Sequence, residues 1–341
     1  MLMFQRFRQP LGRIITISSY SSRRLSPPRK HLRARKVGSS VQSFSAAASS
    51  TYGQVLPWRH DPSLPERVLQ HDDFSGAFNP TARDPTILRK LIAARELNIS
   101  AWDVLPIPFC KHDWECDLVA GFAVAFEFAV GELLGTLFQV SDTNDDSGAV
   151  IIDSSKSNSS NGPVTTIENN EYLKNMMDKK LLAHFNQSII NPKDYDIKFT
   201  LRPFEAELQH IFAVPVPGLT REIVEEKQYL KGLIYRLHMA YDQNGFDESY
   251  FDLITEFAKE VEHTKRTVIA EASVRCKEFF QVKDKSTGKV IQGMEDGCEE
   301  DEVVHLVRFE VVTDETEGGE REIGSWKIID VDDLLQGNLF H

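Results

Sequence analysis

The stretch Thr267-Val-Ile-Ala-Glu-Ala-Ser-Val-Arg-Cys-Lys-Glu-Phe-Phe-Gln-Val282 decides the fold. Every second residue from Val268 is apolar or small: Val268, Ala270, Ala272, Val274, Cys276, Phe280 and Val282, with Glu278 the charged member of the row. The interleaved set is Ile269, Glu271, Ser273, Arg275, Lys277, Phe279 and Gln281. Successive side chains of a strand point to opposite faces, so this alternation predicts a long strand with one face buried. Working downstream, Asp284 to Gly288 reads as a turn and Lys289-Val-Ile-Gln292 as a short strand. The acidic run Glu295 to Glu302 then leads into a third alternating strand, Val303 to Thr313. A second acidic turn holds Gly318-Gly319, and Gly324-Ser-Trp-Lys-Ile-Ile-Asp330 is the fourth strand. The connections are too short for crossovers, so the meander is antiparallel. The acidic turns read as solvated hairpin tips.

Upstream, the period changes to that of helices. Ile87, Leu88, Leu91, Ile92 and Leu97 predict a helix over 84–101, ended by Pro106 and Pro108. Tyr172 to Ile190, Leu219 to Tyr241 and Glu248 to about Thr264 carry apolar residues at helical spacing. Ile197, Phe199 and Leu201 read as a short strand, and Pro203, Pro215 and Pro217-Gly218 punctuate the segment between it and the helix from Leu219. Helices followed by a long bent meander make an α+β domain, with the helices expected in the concave face of the curved sheet.

The most apolar stretch runs from Leu118 to Val140 and is long enough to cross a bilayer. Glu127 and Glu132 lie near its middle. A charge at that depth costs about 2.5–3.5 kcal/mol, against about 0.3–0.6 kcal/mol contributed by each good apolar residue. The sum is near balance, which leaves a buried helix, a helix on a membrane surface and a span all open. Gly131-x3-Gly135 would let another helix approach closely. For a membrane or partner contact the candidates are Phe122, Phe126, Phe128 and Leu133, extended by Leu137 and Phe138. Phe122, Phe126, Leu133 and Leu137 share one helical face. Residues 141–170, rich in Ser, Asn, Asp and Gly, read as a flexible linker.

Charge separates the head of the chain from the rest. The first fifty residues hold ten of the 39 Lys and Arg and no acid; the first acid is Asp61. The remainder therefore holds 29 basic against 51 acidic residues, a net of -22. Phe4, Phe7, Leu11 and Ile14/Ile15 recur at helical spacing between Arg6, Arg8 and Arg13. A basic, acid-free, Ser-rich amphipathic head is the composition of an organelle-targeting presequence, here mitochondrial. The same composition also suits a basic arm for nucleic acid or anionic lipid. The expected organisation is a presequence over 1–50, a helical region over 51–140, the linker over 141–170 and an α+β domain over 171–335. Direct DNA binding is not expected, because the acidic remainder shows no basic face.

Searches for catalytic motifs find no Gly-x-Gly-x-x-Gly or Walker loop after a strand, no His-Glu-x-x-His and no Gly-x-Ser-x-Gly. His112, His184, His210, His238, His263 and His305 stand apart from one another. Cys110 and Cys116 with His112 between them have the wrong spacing for a zinc knuckle, and Cys276 and Cys298 form no second one. No cofactor, metal or catalytic residue is expected.

Three features in order carry a family resemblance: Thr287-Gly-Lys-Val-Ile-Gln-Gly293 with Met-Glu-Asp296, the strand Val303 to Val312, and Gly324-Ser-Trp326-Lys-Ile-Ile329. Over about residues 219–332 the chain resembles the superfamily of the mitochondrial inner-membrane translocase motor anchor, in its C-terminal domain, and the related mitoribosomal large-subunit protein. The resemblance implies a cystatin-like or nuclear-transport-factor-like cone with a cavity between helices and sheet. It implies a non-enzymatic matrix protein at the inner membrane that scaffolds protein import or membrane protein biogenesis, or a large-subunit component tethering the ribosome there. Related cones include isomerases with an Asp/His pair in the cavity, so a cavity enzyme, with His238, Asp242 or His305 meeting inside, or a lipid-binding domain stands as a further alternative. Gly293, Gly324 and Trp326 are expected to define the fold. The chain departs from the family in two ways. It lacks the long basic segments of the ribosomal member, and an apolar helix replaces the charged N-terminal half of the motor anchor.

Overall fold

A computed structural model describes residues 86–100, 113–140, 150–154, 167–188, 192–214, 216–234, 236, 248–261, 264–319, 321–332 and 334–335. The expected presequence, the lead-in to residue 85 and most of the expected linker lie outside the described residues. So do Cys110, His112, His238, Asp242 and His263.

The centre of the fold is β3, Lys265–Asp284, and its alternation is realised along its length. All eight members of the row from Val268 to Val282, Glu278 included, are buried. On one edge β3 pairs with β2, Tyr195–Ala213. Its other edge is shared by β5, Asp301–Glu315, and the short β4, Val290–Gly293. β1, Val150–Asp153, extends the sheet beyond β2, while β6, Arg321–Ile323, and β7, Lys327–Val331, both pair with β5. Among the described residues the named strands all pair antiparallel, and the seven form a curled half-barrel sheet in an α+β fold.

Two strands depart from expectation. The strand expected only at residues 197–201 runs for 19 residues as β2. Pro203 does not end it, because the register shifts between Pro203 and Glu205, and a bulge absorbs the missing N–H. A second shift between Leu208 and His210 breaks the alternation again. Within the expected linker, Val150-Ile-Ile-Asp153 forms β1, with Val150 and Ile152 buried.

The helices are α1, Thr86–Glu96; α2, Asp113–Phe138; α3, Glu171–Met176; α4, Lys179–Ser188; α5, Arg221–Glu226; and α6, Glu248–Ala258. α1 and α2 end on residues in the left-handed region, Asn98 (φ 55°) and Gln139 (φ 57°). The next amide of each reaches back five residues, Ile99 to the Ala94 carbonyl and Val140 to that of Gly135. The helix expected over 172–190 is broken into α3 and α4. There the Asp178 N–H donates to the Ile328 carbonyl, so Met177 and Asp178 leave the helix to bond β7. The helix expected from Leu219 is likewise interrupted after Glu226, and a further helical stretch begins at Leu230.

Two apolar cores lie on opposite faces of the sheet. The Val268 row of β3 packs with residues of α1, α2, α3 and α4, including Phe122, Phe126, Leu133, Leu181 and Phe185. Ile269, on the other face, joins Leu219, Val224, Leu230, Leu233, Leu253 and Phe257 in a second cluster. The segment after Leu219 and α6 therefore cover the face opposite to α2, rather than sharing one concave face with it.

Candidate functional site

α2 is the element that the sequence marks out for contact, and the structure divides its surface. Phe122, Phe126, Leu133 and Phe138 are buried, and Leu137 is half-buried against the core. The Phe122 ring stacks on Phe309 of β5 with centroids 3.9 Å apart and 8° between planes. These four candidates thus pack in the core against the sheet. Phe128 is different: it is 36% exposed, beside Val124 at 50%, and Ala120 one turn earlier is exposed as well. Ala120, Val124 and Phe128 are four residues apart and make one outward strip. α2 has the length and hydropathy of a membrane span, but half of its most apolar window is buried in the fold.

Glu127 and Glu132, the two acids in the apolar stretch of α2, are both engaged. Burial raises the Glu127 carboxyl, countered by a hydrogen bond from the Val150 backbone and by the charge of Arg202. Glu132 Oε2 accepts from Asn170 Nδ2 at 3.1 Å. Asn170 also donates to Thr136 Oγ1 at 2.9 Å, while its Oδ1 caps α3 by accepting the amides of Tyr172 and Leu173. The acids thus tie the apolar helix to β1 and to α3. Gly131 serves the same packing: a Cβ there would lie 3.1 Å from Val150 Cγ2, so its partner is a strand and not the second helix its spacing suggested.

The glycines expected to define the fold occupy positions that side chains cannot. Gly293 has φ 88°, and a Cβ there would lie 2.2 Å from the Phe280 carbonyl oxygen. A Cβ at Gly324 would lie 2.7 Å from the Val312 carbonyl oxygen, to which its own N–H donates at 3.0 Å. Trp326 meets Phe122 edge-on, with centroids 5.0 Å apart, so it braces α2 from the start of the last strand.

Beneath α2 lies a cavity of about 10 Å³, lined by Phe126, Val130, Leu133, Phe185, Phe199 and His305 among others. That is room for about one water molecule. His305 is the polar member of the wall, and its ring nitrogens are taken. Nδ1 lies 2.8 Å from Asp332 Oδ2, and Nε2 lies 2.8 Å from Glu278 Oε2. Burial alone would lower its pKa, but the charges and hydrogen bonds of Asp332 and then Glu278 raise it to about 10. Raised in this way, the ring stays an imidazolium at neutral pH, held by two carboxylates. Nearby, burial pushes the Cys276 thiol up, and Glu278, Asp332 and Glu127 push it further.

The other face holds a second ionic cluster. Arg308 Nε lies 2.9 Å from Glu271 and its Nη1 2.7 Å from Asp330, all three buried. His210 stands 3.9 Å from Glu271. These residues face one another across β2, β3, β5 and β7. Arg221, at the start of α5, reaches buried Glu310 at 2.8 Å. Burial raises the Glu310 carboxyl against the opposing pull of Arg221.

His305 meets two carboxylates, and the sequence singled out neither of those acids as a site residue. Glu278 could have been found, since it interrupts an apolar row. Asp332 leaves no such trace, because a turn brings it back to Leu306. Cys116 and Cys298 are exposed, and among the described residues no three His, Cys, Asp or Glu side chains are grouped to hold a metal ion. No family model matches the chain, and a search of the curated proteins finds no match.

Proposed function

We propose that this chain is a non-enzymatic mitochondrial matrix protein, peripheral to the inner membrane, that scaffolds protein import or membrane protein biogenesis. In this reading the half-barrel is the cone of the motor-anchor superfamily, and a helical N-terminal region precedes it. One observation carries the reading. A 26-residue apolar helix gives its aromatic face to the sheet and still presents Ala120, Val124 and Phe128 outward. A helix used only as core would have no need of Phe and Val on its outer side, although single exposed apolar residues are common on any protein. The acid-free basic head supplies the address. The closed ionic setting of His305 favours a structural over a catalytic use of the cavity.

The test is carbonate extraction of isolated mitochondria, followed by a sucrose gradient of the detergent lysate with mass spectrometry across the fractions. Release by carbonate, together with migration in a membrane-protein complex smaller than a ribosomal subunit, is the expected result. A protein already soluble in the first wash would overturn the reading. Co-migration with the large ribosomal subunit would replace it with the ribosome-tether function.

A further inference from the structure

We propose that the outer face of β2 and β3 around Lys277 is a docking surface for an acidic peptide segment of a partner protein, independent of the function proposed above. The face of β3 that carries Ile269 is covered at that end by the second core. Farther along the same face Arg275 and Lys277 are exposed, and so are Lys198 and Arg202 of β2. The register sets Arg202 directly opposite Lys277, Thr200 opposite Phe279 and Lys198 opposite Gln281. Four cations therefore share one patch, in a chain whose residues after the first fifty carry a net charge of -22. Net charge hides the patch, because the pairing of β2 on β3 is what assembles it. Like charges directly opposite on neighbouring strands destabilise a sheet. Arg275 is answered by Glu205, with Nη1 and Oε2 3.3 Å apart, whereas Lys277 forms no ion pair among the described residues and faces Arg202. Glu302, the register partner of Lys277 on β5, is exposed and does not close on it. An anion lying across Arg202 and Lys277 would relieve their repulsion.

The patch already carries an internal stand-in for such a ligand. The acidic loop between β4 and β5 folds back on this face, where Glu300 Oε1 accepts from Thr200 Oγ1 at 3.1 Å. Its Asp296 oxygens lie 2.7 and 2.8 Å from Nζ of Lys283, a member of the same row of β3. The hydrogen bonds from Lys283 and then Gln281 hold the Asp296 carboxyl below its usual range, and the charges of Lys283 and Lys198 add to them. The face thus accepts peptide carboxylates at one end of the patch and leaves Lys277 open at the other. Lys277 and Arg275 stand two residues apart, about 6.6 Å along the strand, a spacing that matches alternate side chains of an extended peptide. An acidic peptide laid beside the loop would reach Arg202 and Lys277 through alternate carboxylates. A nucleic acid would need open aromatic rings on which to stack its bases, and Phe279, between the cations, is half-buried.

The full-length chain would be titrated by calorimetry with a synthetic peptide of the loop's own sequence, residues 295–302 carrying Cys298→Ser. Saturable binding is expected, weakened about fivefold or more by Lys277→Glu and tightened about twofold or more by Glu300→Gln, which loosens the resident stand-in. Lys231→Glu, at an exposed lysine outside the patch, should change affinity less than about twofold. The gain on Glu300→Gln keeps the test decisive, since a misfolded face would not bind better. Absence of saturable binding up to about 1 mM peptide would overturn the proposal. So would equal affinity in Lys277→Glu and the parent chain, which would assign the peptide to the basic head, or weaker binding by Glu300→Gln. An octamer of uridylate that binds the same patch more tightly than the peptide would replace the peptide with RNA. A dimer that Lys277→Glu dissolves would make the occupant the acidic loop of a second copy, and would overturn the assignment to a partner protein.

Discussion

Replacing Phe122 by Ala separates the core use of α2 from a membrane use of the same face. Phe122 is buried, stacked on Phe309 at 3.9 Å and edge-on to Trp326 at 5.0 Å. Truncating a buried Phe to Ala costs about 3–5 kcal/mol, because the cavity left behind refills only in part. The two ring contacts supply about 0.5–1.5 kcal/mol each beyond their area. With a urea dependence of about 3 kcal/mol per molar for a chain of this size, the unfolding midpoint should fall by about 1–2 M. Far-UV circular dichroism of the full-length protein in urea reads this directly. Phe128→Ser is the matched control, since its ring is partly in water and its loss should move the midpoint by less than about 0.3 M. Carbonate extraction of mitochondria expressing each variant supplies the second readout. The reasoning fails if Phe122→Ala leaves the urea midpoint in place and releases the protein from the membrane, for then the aromatic face would be meeting lipid or partner.

Other outcomes rest on the same geometry. Gly293→Ala should destabilise by more than about 2 kcal/mol, since it adds a clash to a positive φ, whereas Gly297→Ala, also at positive φ but with open space around it, should cost only about 1 kcal/mol; thermal or urea unfolding of the two variants compares them. Arg308→Met removes the guanidinium shared by buried Glu271 and Asp330 and should cost about 3–5 kcal/mol; an unchanged urea midpoint would contradict this. His305 has its pKa raised above the ordinary value, so its contribution to stability is full below about pH 6.5 and is lost as pH climbs through about 10. Nitrogen NMR should therefore show an imidazolium at about pH 8, and a ring titrating near pH 6.5 would contradict the arrangement.

The meander was legible because its alternation is local. Each residue of the row from Val268 to Val282 states its own face, and the turns at Gly288 and Gly319 are marked by composition. β2 was only partly legible. Two bulges shift its period, and Pro203 resembles a stop until a bulge is seen to excuse its missing N–H. The break between α3 and α4 was hidden because its cause, the Ile328 carbonyl, lies about 150 residues away. The same holds for the ionic clusters. Glu271 and Arg308 become partners only once the register of β3 on β5 is fixed, and one sequence does not fix it. For α2, hydropathy showed that a large apolar surface must be covered but not by what. Glu127 and Glu132 held the answer, since acids that bond to β1 and to Asn170 belong to a helix docked on protein.

The contact between α1 and β6 bears on the order in which the chain can fold. Glu96 is buried and lies 3.0 Å from Arg321 Nε, and Asn98 bonds the Arg321 backbone in both directions, across 223 residues. A polypeptide that emerges N-terminus first, from a ribosome or a translocation pore, holds Glu96 long before it holds Arg321. Burying that carboxylate before β6 arrives would leave it without its closest partner, Arg321, with Arg266 at 4.0 Å as the cation that remains, which is costly. Contacts so distant in sequence also form slowly, because a large loop must close before they contribute. The contacts of the first described helix with Arg321 therefore form only when β6 has arrived. Completion of the fold is timed by its last strands.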